Sequence, residues 1–386
     1  MKNHFGQFMT PHNLAQIVAK ELGKCDTVID FAIGEGALVC AVQLKMAHTT
    51  KVIGFDIDEE MIQKSASLLN EPQLKVADGL TVRLALGLLG RIGVVGNPPY
   101  LGSTTVGLRW VSKAFPNLVG KSGTERAEIQ FLARALVTAK KTGGRIVFVM
   151  PISFADGDTY RHIRKELVQN YHLVRCIEIP SGTFNGTEAR TIILVIDTKK
   201  TDVRETEICV WDADNEELQL ILKSEIKAGC RLDAKFHAFD GEKRQIPQLK
   251  DLNICIDRGR FSRKEAEKQN IVALHTSHLG LAKNRKLIAP STKNTHNSLI
   301  TAKKGDILLS RTGKRVCWDP ILVESGESLI TDHVFRIRIP KASQAIVYES
   351  FWHPDFPLWL TATSKGVCAT VLTKRELLEM PVFAWI

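Results

Sequence analysis

The chain has 386 residues, 44% of them hydrophobic and 24% charged, with a net charge of +10; this is the make-up of a globular protein with room for two ordinary domains. No apolar run is long enough to span a bilayer and the opening MKNHFGQFMT lacks a signal-peptide core, so a cytoplasmic protein with no membrane partner is expected. Eight scattered cysteines without a C-x-x-C pair, and histidines without ligand spacing, argue against a disulfide framework and a zinc site, and no metal is expected.

Thr10 reads as the N-cap, and Pro11 as the first position, of an amphipathic helix running to Leu22. A strand at Thr27–Asp30 leads through a glycine-containing turn into a helix from Gly36 to Ala47. The next strand, Lys51–Asp56, precedes a helix capped by Asp58, with Glu59 and Glu60 in its first turn. Strands follow at Gln73–Ala77 and Ile92–Gly96. A helix at Glu125–Lys141 stops at Gly143-Gly144 and feeds a buried strand, Arg145–Met150. After a helix at Asp158–Asn170, strands Leu173–Ile179 and Arg190–Asp197 are expected to close the sheet as an antiparallel hairpin. This alternation predicts an α/β fold with mostly parallel strands over residues 1–200.

The polar stretch that follows, 201–230, is expected to be a linker. Residues 231–386 have short strands, long loops and no βαβ rhythm, which predicts a second, mixed α+β domain. That part holds 25 Lys and Arg against 16 Asp and Glu, whereas residues 1–230 hold 27 against 26. The excess positive charge therefore sits in the last two fifths of the chain, as expected of a part that meets a polyanion.

Four features fall at the ends of successive strands, where an open α/β sheet binds its ligands. The turn Asp30-Phe31-Ala32-Ile33-Gly34-Glu35-Gly36 has glycines that let a ligand approach the backbone, but Val39 stands where G-x-G-x-x-G needs its third glycine. Asp56, beside Ile57, can accept both hydroxyls of a ribose. Asp78 can accept from an adenine amino group. In Asn97-Pro98-Pro99-Tyr100 the prolines fix the backbone and remove donors, leaving the Asn97 side-chain oxygen and the Pro98 carbonyl as acceptors. Two acceptors converging on an amino group suit an adenine nitrogen whose lone pair must be freed from ring conjugation, and Tyr100 offers a face on which a base can stack.

These residues resemble the amino-group DNA methyltransferases of the adenine-N6 class, in which the cofactor motif precedes Asn-Pro-Pro-Tyr and a target-recognition domain lies C-terminal. The resemblance extends to the modification subunits of type I systems and their single-chain relatives. It implies a Rossmann-like sheet binding S-adenosylmethionine, with Gly34 and Gly36 lining the site, Asp30 in the same turn, Asp56 on the ribose and Asp78 on the cofactor adenine. The segment Gly6-Gln7-Phe8-Met9-Thr10-Pro11 matches the family's Thr-Pro segment that closes over the cofactor. Phe184 matches a loop aromatic that holds the flipped base, and a packing role fits it equally well. Phe31 departs from the family's usual proline, and Ile33 and Glu35 replace small or polar residues.

Arg231-Leu232-Asp233-Ala234-Lys235-Phe236, Lys304 to Arg311 and Gly366 to Val382 are similar to segments of a type I specificity domain. Between Lys283 and Arg315 lie nine Lys and Arg and one acidic residue, and Lys303, Lys304, Arg311, Lys314 and Arg315 are the candidate DNA contacts. The expected enzyme is a site-specific adenine-N6 methyltransferase that acts as a monomer on double-stranded DNA and flips its target base, with any cleavage or further specificity supplied by a separate restriction or specificity subunit. The rival readings are the same chemistry on cytosine N4, RNA adenine or protein glutamine, and a DNA-binding subunit that has kept only the fold.

Overall fold

Short aliphatic and β-branched runs bounded by glycine, proline or aspartate become the strands, and the segments between them wind into helices with one apolar side. The computed structural model describes residues 9–47, 49–84, 90–100, 102–118, 123–184, 190–199, 205–240, 246–282, 284–290, 299–313, 319–365 and 370–385. The chain divides into two compact units, Met1–Ala234 and Lys235–Ile386.

The strands of the first unit are β1 (Thr27–Asp30), β2 (Lys51–Asp56), β3 (Gln73–Val76), β4 (Ile92–Gly96), β5 (Ser103–Thr104), β6 (Glu125–Arg126), β7 (Arg145–Pro151), β8 (His172–Ile179), β9 (Thr191–Asp197), β10 (Glu205–Asp212) and β11 (Glu217–Glu225). Nine of them form one mixed sheet in the order β11-β10-β8-β9-β7-β4-β1-β2-β3, and β5 pairs with β6 apart from it. From β7 to β3 every pairing is parallel. The helices α1 (His12–Leu22), α2 (Ala37–Lys45), α3 (Glu59–Leu68), α4 (Leu108–Ala114) and α5 (Ala127–Lys140) connect or cover these strands. Ile192 to Ile196 on β9 are wholly buried, as continuous apolar strands of a sheet covered on both faces are. Leu14, Val18 and Leu22 of α1 share a core cluster with Leu38 and Val42 of α2 and with Val28, Val95, Val147 and Ile193 of the sheet.

Three local expectations change. Pro11, not Thr10, holds the N-cap position of α1, and it makes no side-chain cap; the Thr10 hydroxyl is engaged elsewhere. β8 and β9 do pair antiparallel, yet they do not close the sheet, because β9 inserts between β7 and β8. The stretch 201–230 is more than a linker: β10 runs parallel to β8, and β11 returns antiparallel to β10. β11 is the edge strand of the sheet and its residues are exposed or half-buried, as the charged edge of a sheet is. β10 instead lies between β11 and β8 and buries Thr206, Ile208, Cys209 and Trp211. Cys209 and Trp211 of β10 join the main core cluster, and Leu218 of β11 packs against it.

In the second unit the strands are β12 (Cys255–Arg258), β13 (Ala273–Leu274), β14 (Lys286–Ile288), β15 (Thr301–Lys303), β16 (Ile307–Ser310), β17 (Thr312–Gly313), β18 (Ile321–Ser325), β19 (Glu327–Ile330), β20 (Val334–Arg338) and β21 (Thr370–Val371). They make a five-stranded sheet, β12-β20-β16-β18-β14, with a three-stranded sheet and a pair beside it. Phe335 and Ile337 of β20 pack with Phe351, Phe356, Trp359 and Phe383 from the helical C-terminal segments. Among the described residues no helix is long and apolar enough to cross a membrane.

Trp211, 6% exposed, tests whether β10 belongs to the first unit's core. Trp211→Ala should lower the stability of that unit by about 3–5 kcal/mol, as loss of a buried aromatic does. Thermal unfolding would show it, and an unchanged midpoint would return the segment to linker status.

Candidate active site

The ends of β1, β2 and β4, with the loops that leave them, enclose a cavity of about 500 Å³ lined by Asp30, Gly34, Asp56, Asp78, Asn97 and Pro99 among others. Its position follows from the parallel order of the strands, since all their carboxyl ends fall on one edge. Thr10 and Met9 line it from the segment before α1, and Ser103, Thr104 and Val106 from the loop before α4.

Asp56 organises the glycine turn. Its Oδ2 accepts the Gly34 N–H at 2.9 Å and its Oδ1 the Asp58 N–H at 3.0 Å. The turn is tied to β2 a second time by the Ile33 N–H on the Phe55 carbonyl at 2.9 Å. Gly34 and Gly36 take φ of 54° and 84°, the left-handed region that favours glycine. The Ser65 hydroxyl donates to the Gly34 carbonyl at 2.7 Å. Asp78 accepts the Leu80 N–H at 2.8 Å. Ile57, 55% exposed, lines the cavity next to Asp56 and gives it an apolar face.

Asp30 is almost fully buried and accepts the Ala32 N–H at 2.9 Å. Burial pushes its carboxyl up to about 7; the Ala32 N–H opposes that rise and the charge of Asp56 adds to it. Both carboxyls line the same cavity, Asp56 with two backbone N–H donors and Asp30 with one.

At the end of β4, beside β1, Asn97 sits in a hydrogen-bonded line. Its Nδ2 donates to the Thr10 hydroxyl at 3.2 Å, and its Oδ1 accepts from the Tyr100 hydroxyl at 3.2 Å. The Thr10 contact spans 87 residues of sequence and fixes which end of the amide faces which way. Pro98 is buried and Pro99 lines the cavity. Tyr100 is half-buried, and burial raises its pKa above the ordinary phenol value, with the nearby Glu128 and Tyr160 adding to the rise.

Several contributors carry no motif and escape sequence reasoning. Glu128 on α5 is wholly buried; its Oε1 accepts from the Tyr160 hydroxyl at 2.6 Å and from Arg126 Nε at 2.7 Å. Its Oε2 has no hydrogen-bond partner among the described residues. Arg134, 1% exposed, lies with its guanidinium 4.3 Å from the Phe31 ring centre and 4.8 Å from that of Trp110. Its pKa is lowered to about 10, chiefly by burial and then by Arg109, with Asp78 opposing. Phe31 also stacks on Phe55 at 5.9 Å, so the aromatic that stands where proline was expected is a packing element of the cavity wall. Helical spacing and residue type gave no hint of either charged group, because what buries them comes from distant parts of the chain.

The predicted site residues separate into two sets. Thr10, Asp30, Gly34, Asp56, Ile57, Asp78, Asn97 and Pro99 all line the one cavity. Gly36 and Pro11 occupy the N-cap positions of α2 and α1 without lining the cavity. Phe184 does not line this cavity: it is 4% exposed within the main core cluster, where it has the packing role that was one of its two readings. The basic run is also split. Lys303 and Lys304 are exposed before β16 and Arg311 follows it, so roughly 13 Å of strand separates them. Lys314, Arg315, residues 6–8 and residues 366–369 lie outside the described residues.

The profile of the family described as N-6 DNA Methylase matches residues 1–227, more than half of the sequence, and the chain belongs to that family. It is 24% identical over 306 residues to the type I restriction enzyme MpnII methylase subunit of Mycoplasma pneumoniae, which covers 69% of this chain and 54% of that protein. The chain thus spans about half the length of that curated relative. Among solved structures it is similar to the type IIG restriction endonuclease BpuSI, with a TM-score of 0.53 and 14% identity over 98% of this chain and 59% of that one. It is equally similar to the type IIL restriction-modification enzyme MmeI in complex with DNA, with a TM-score of 0.53 and 12% identity over 96% of this chain and 64% of the other. At such identities the likeness is one of fold.

The raised pKa of Asp30 has a consequence for stability. Between its ordinary 3.8 and about 7 the folded chain holds a proton that the unfolded chain has lost, so this group's contribution falls as pH rises through that window and is level above it. Asp30→Asn should therefore gain stability relative to the parent as pH rises from 4.5 to 8. Urea unfolding at both values would measure it, and an equal difference at the two would refute the assignment.

Proposed function

We propose that, as a member of the N-6 DNA methylase family, this chain transfers a methyl group from S-adenosylmethionine to the exocyclic N6 of adenine in double-stranded DNA. The observation that carries the reading is the Thr10–Asn97–Tyr100 line, whose Thr10 and Asn97 line the same cavity as the strand-end carboxylates.

The cavity fits the cofactor in size and chemistry. Its volume of about 500 Å³ suits a nucleoside-sized ligand. Each Asp56 oxygen has one backbone donor and keeps acceptor capacity for ribose hydroxyls. Asp78 has a second oxygen for an adenine amino group, and Ile57 and Leu80 give the ring apolar surface. The backbone of the turn from Asp30 to Gly36 can be approached closely because Gly34 and Gly36 have no side chain. S-adenosylmethionine supplies an electrophilic methyl carbon on a sulfonium; everything else falls to the protein.

On the substrate side, the Asn97 side-chain oxygen and the Pro98 carbonyl accept the two N–H bonds of the target amino group, drawing the nitrogen lone pair out of conjugation with the ring. Tyr100 and Thr10 hold the Asn97 amide in register for that task. Catalysis is positional and electrostatic, with no covalent enzyme intermediate. The basic second unit is the part assigned to DNA recognition, by its charge and by a fold shared with an enzyme whose structure was solved in complex with DNA. The assigned setting is the modification component of a restriction–modification system. A separate restriction or specificity subunit is the further partner, in keeping with the relative named a methylase subunit.

Two substitutions separate binding from chemistry. Asn97→Ala should keep S-adenosylmethionine affinity within about twofold while cutting methyl transfer by roughly 100-fold or more, as removal of one aligned polar group does elsewhere. Asp56→Ala should instead weaken cofactor binding by about 10- to 100-fold, the loss of charge-assisted hydrogen bonds. Calorimetric titration paired with radiolabelled methyl transfer to DNA measures both, and full turnover by the Asn97 variant would end the assignment.

A further inference from the structure

Three strand ends of the second unit meet at one edge of its five-stranded sheet. β20 pairs antiparallel with both β12 and β16, which sets Arg258 opposite Phe335 and Ser310 opposite Val334. The loops leaving that edge surround a cavity of about 680 Å³ lined by Arg258, Arg260, Arg311, Asp332, Thr373 and Lys374, among others.

The rim is tied together through its backbone. The Asp332 N–H donates to the Phe261 carbonyl at 3.0 Å, the Arg311 N–H to the His333 carbonyl at 2.8 Å, and the Leu372 N–H to the Arg311 carbonyl at 2.9 Å. Gly259, between the two arginines of its loop, lies so close to the Ile330 carbonyl that a Cβ would collide with it. The positions from which these side chains start are therefore set before anything binds, which lowers the ordering cost of recognition.

The charges in this cavity are only partly satisfied. The side chains of Arg258, Arg260 and Arg311 have no hydrogen bond or ion pair to another described residue. Burial, and then the neighbouring charge of Arg258, hold the Arg311 pKa below its ordinary value, with Asp332 opposing. Asp257 is committed to Arg336. Asp332 is the remaining acceptor: its Oδ1 is buried without a hydrogen-bond partner among the described residues and lies 3.8 Å from His333 Nε2.

Resting on the reading of DNA as substrate, we infer that this cavity reads the major-groove edge of one G·C base pair in the recognised sequence, Arg311 with Arg258 taking the guanine and Asp332 the cytosine. A phosphate would satisfy the cations but be repelled by the carboxylate. Guanine presents two acceptors, N7 and O6, which suit an arginine fork, and its paired cytosine presents an N4 donor, which suits an aspartate.

The test is selection of bound duplexes from a random double-stranded DNA library by the full chain, followed by sequencing, alongside Arg311→Ala, Arg311→Lys and Asp332→Ala. The parent should enrich a motif with an invariant G·C pair. Each variant should lose roughly 5- to 150-fold discrimination at that position, with the other positions kept. Arg311→Lys retains the charge and loses the fork, so the same loss there guards against a folding failure. An unchanged motif in all variants, a uniform weakening with a smaller salt slope, or no motif in the parent would overturn the inference. A motif that depends on Arg311 but gains no methyl group when S-adenosylmethionine is added upholds the inference and sinks the methylation reading instead.

Discussion

The carboxylate of Asp56 is the constraint on which the cavity depends. Two backbone N–H groups, one from the glycine turn after β1 and one from its own loop after β2, converge on its two oxygens. A 22-residue separation is closed by one charged side chain, and the turn cannot shift without leaving that charge unsatisfied in a buried place. The parallel register of β1 and β2 supplies the geometry, with Asp30 opposite Gly54. Neighbouring Asp30 is raised to about 7 chiefly by its own burial, against which the Ala32 N–H is its one backbone donor, and the charge of Asp56 adds to the rise.

Around that point lie buried charges held by aromatic faces, by hydroxyls and by the Arg126–Glu128 ion pair. Arg134 is sandwiched by Phe31 and Trp110, and its Nη2 donates to the Val82 carbonyl at 2.6 Å. Trp110 in turn donates from its indole to the Leu80 carbonyl at 2.7 Å, fixing α4 to the loop that carries Asp78. Glu128 holds Tyr160 and Arg126 and sits close enough to Tyr100 to raise its pKa. Buried polar groups of this kind are costly when half-satisfied, so they fix one arrangement of the surrounding elements.

Much of the catalytic part was legible because its logic is periodic. An alternating chain places strand ends on one edge, and Asp30, Gly34, Asp56, Asp78 and Asn97 are found together on one cavity for that reason. What failed to show was set by distant contacts. Glu128 and Arg134 look like ordinary charged positions on a helix, and only the packing of α5 against the loops around Leu80 and Tyr160 makes them interior. β10 and β11 were hidden because charged residues break the apolar pattern of both: β11 is a polar edge strand, and β10 interleaves Glu205 and Glu207 with its buried positions. Phe184 followed its hydrophobicity into the core. Lys303, Lys304 and Arg311 were read as members of one basic cluster, whereas β16 lies between them and Arg311 joins Arg258 and Arg260, some fifty residues earlier in the sequence.

The claim at the centre is that the amino group of adenine in DNA is the acceptor. Expression of the chain in a host without adenine methylases of its own, followed by direct sequencing of that genome for modified bases, addresses it most directly. The account predicts N6-methyladenine confined to one short motif that contains a G·C pair. An unmodified genome, from folded protein that binds S-adenosylmethionine, would contradict it.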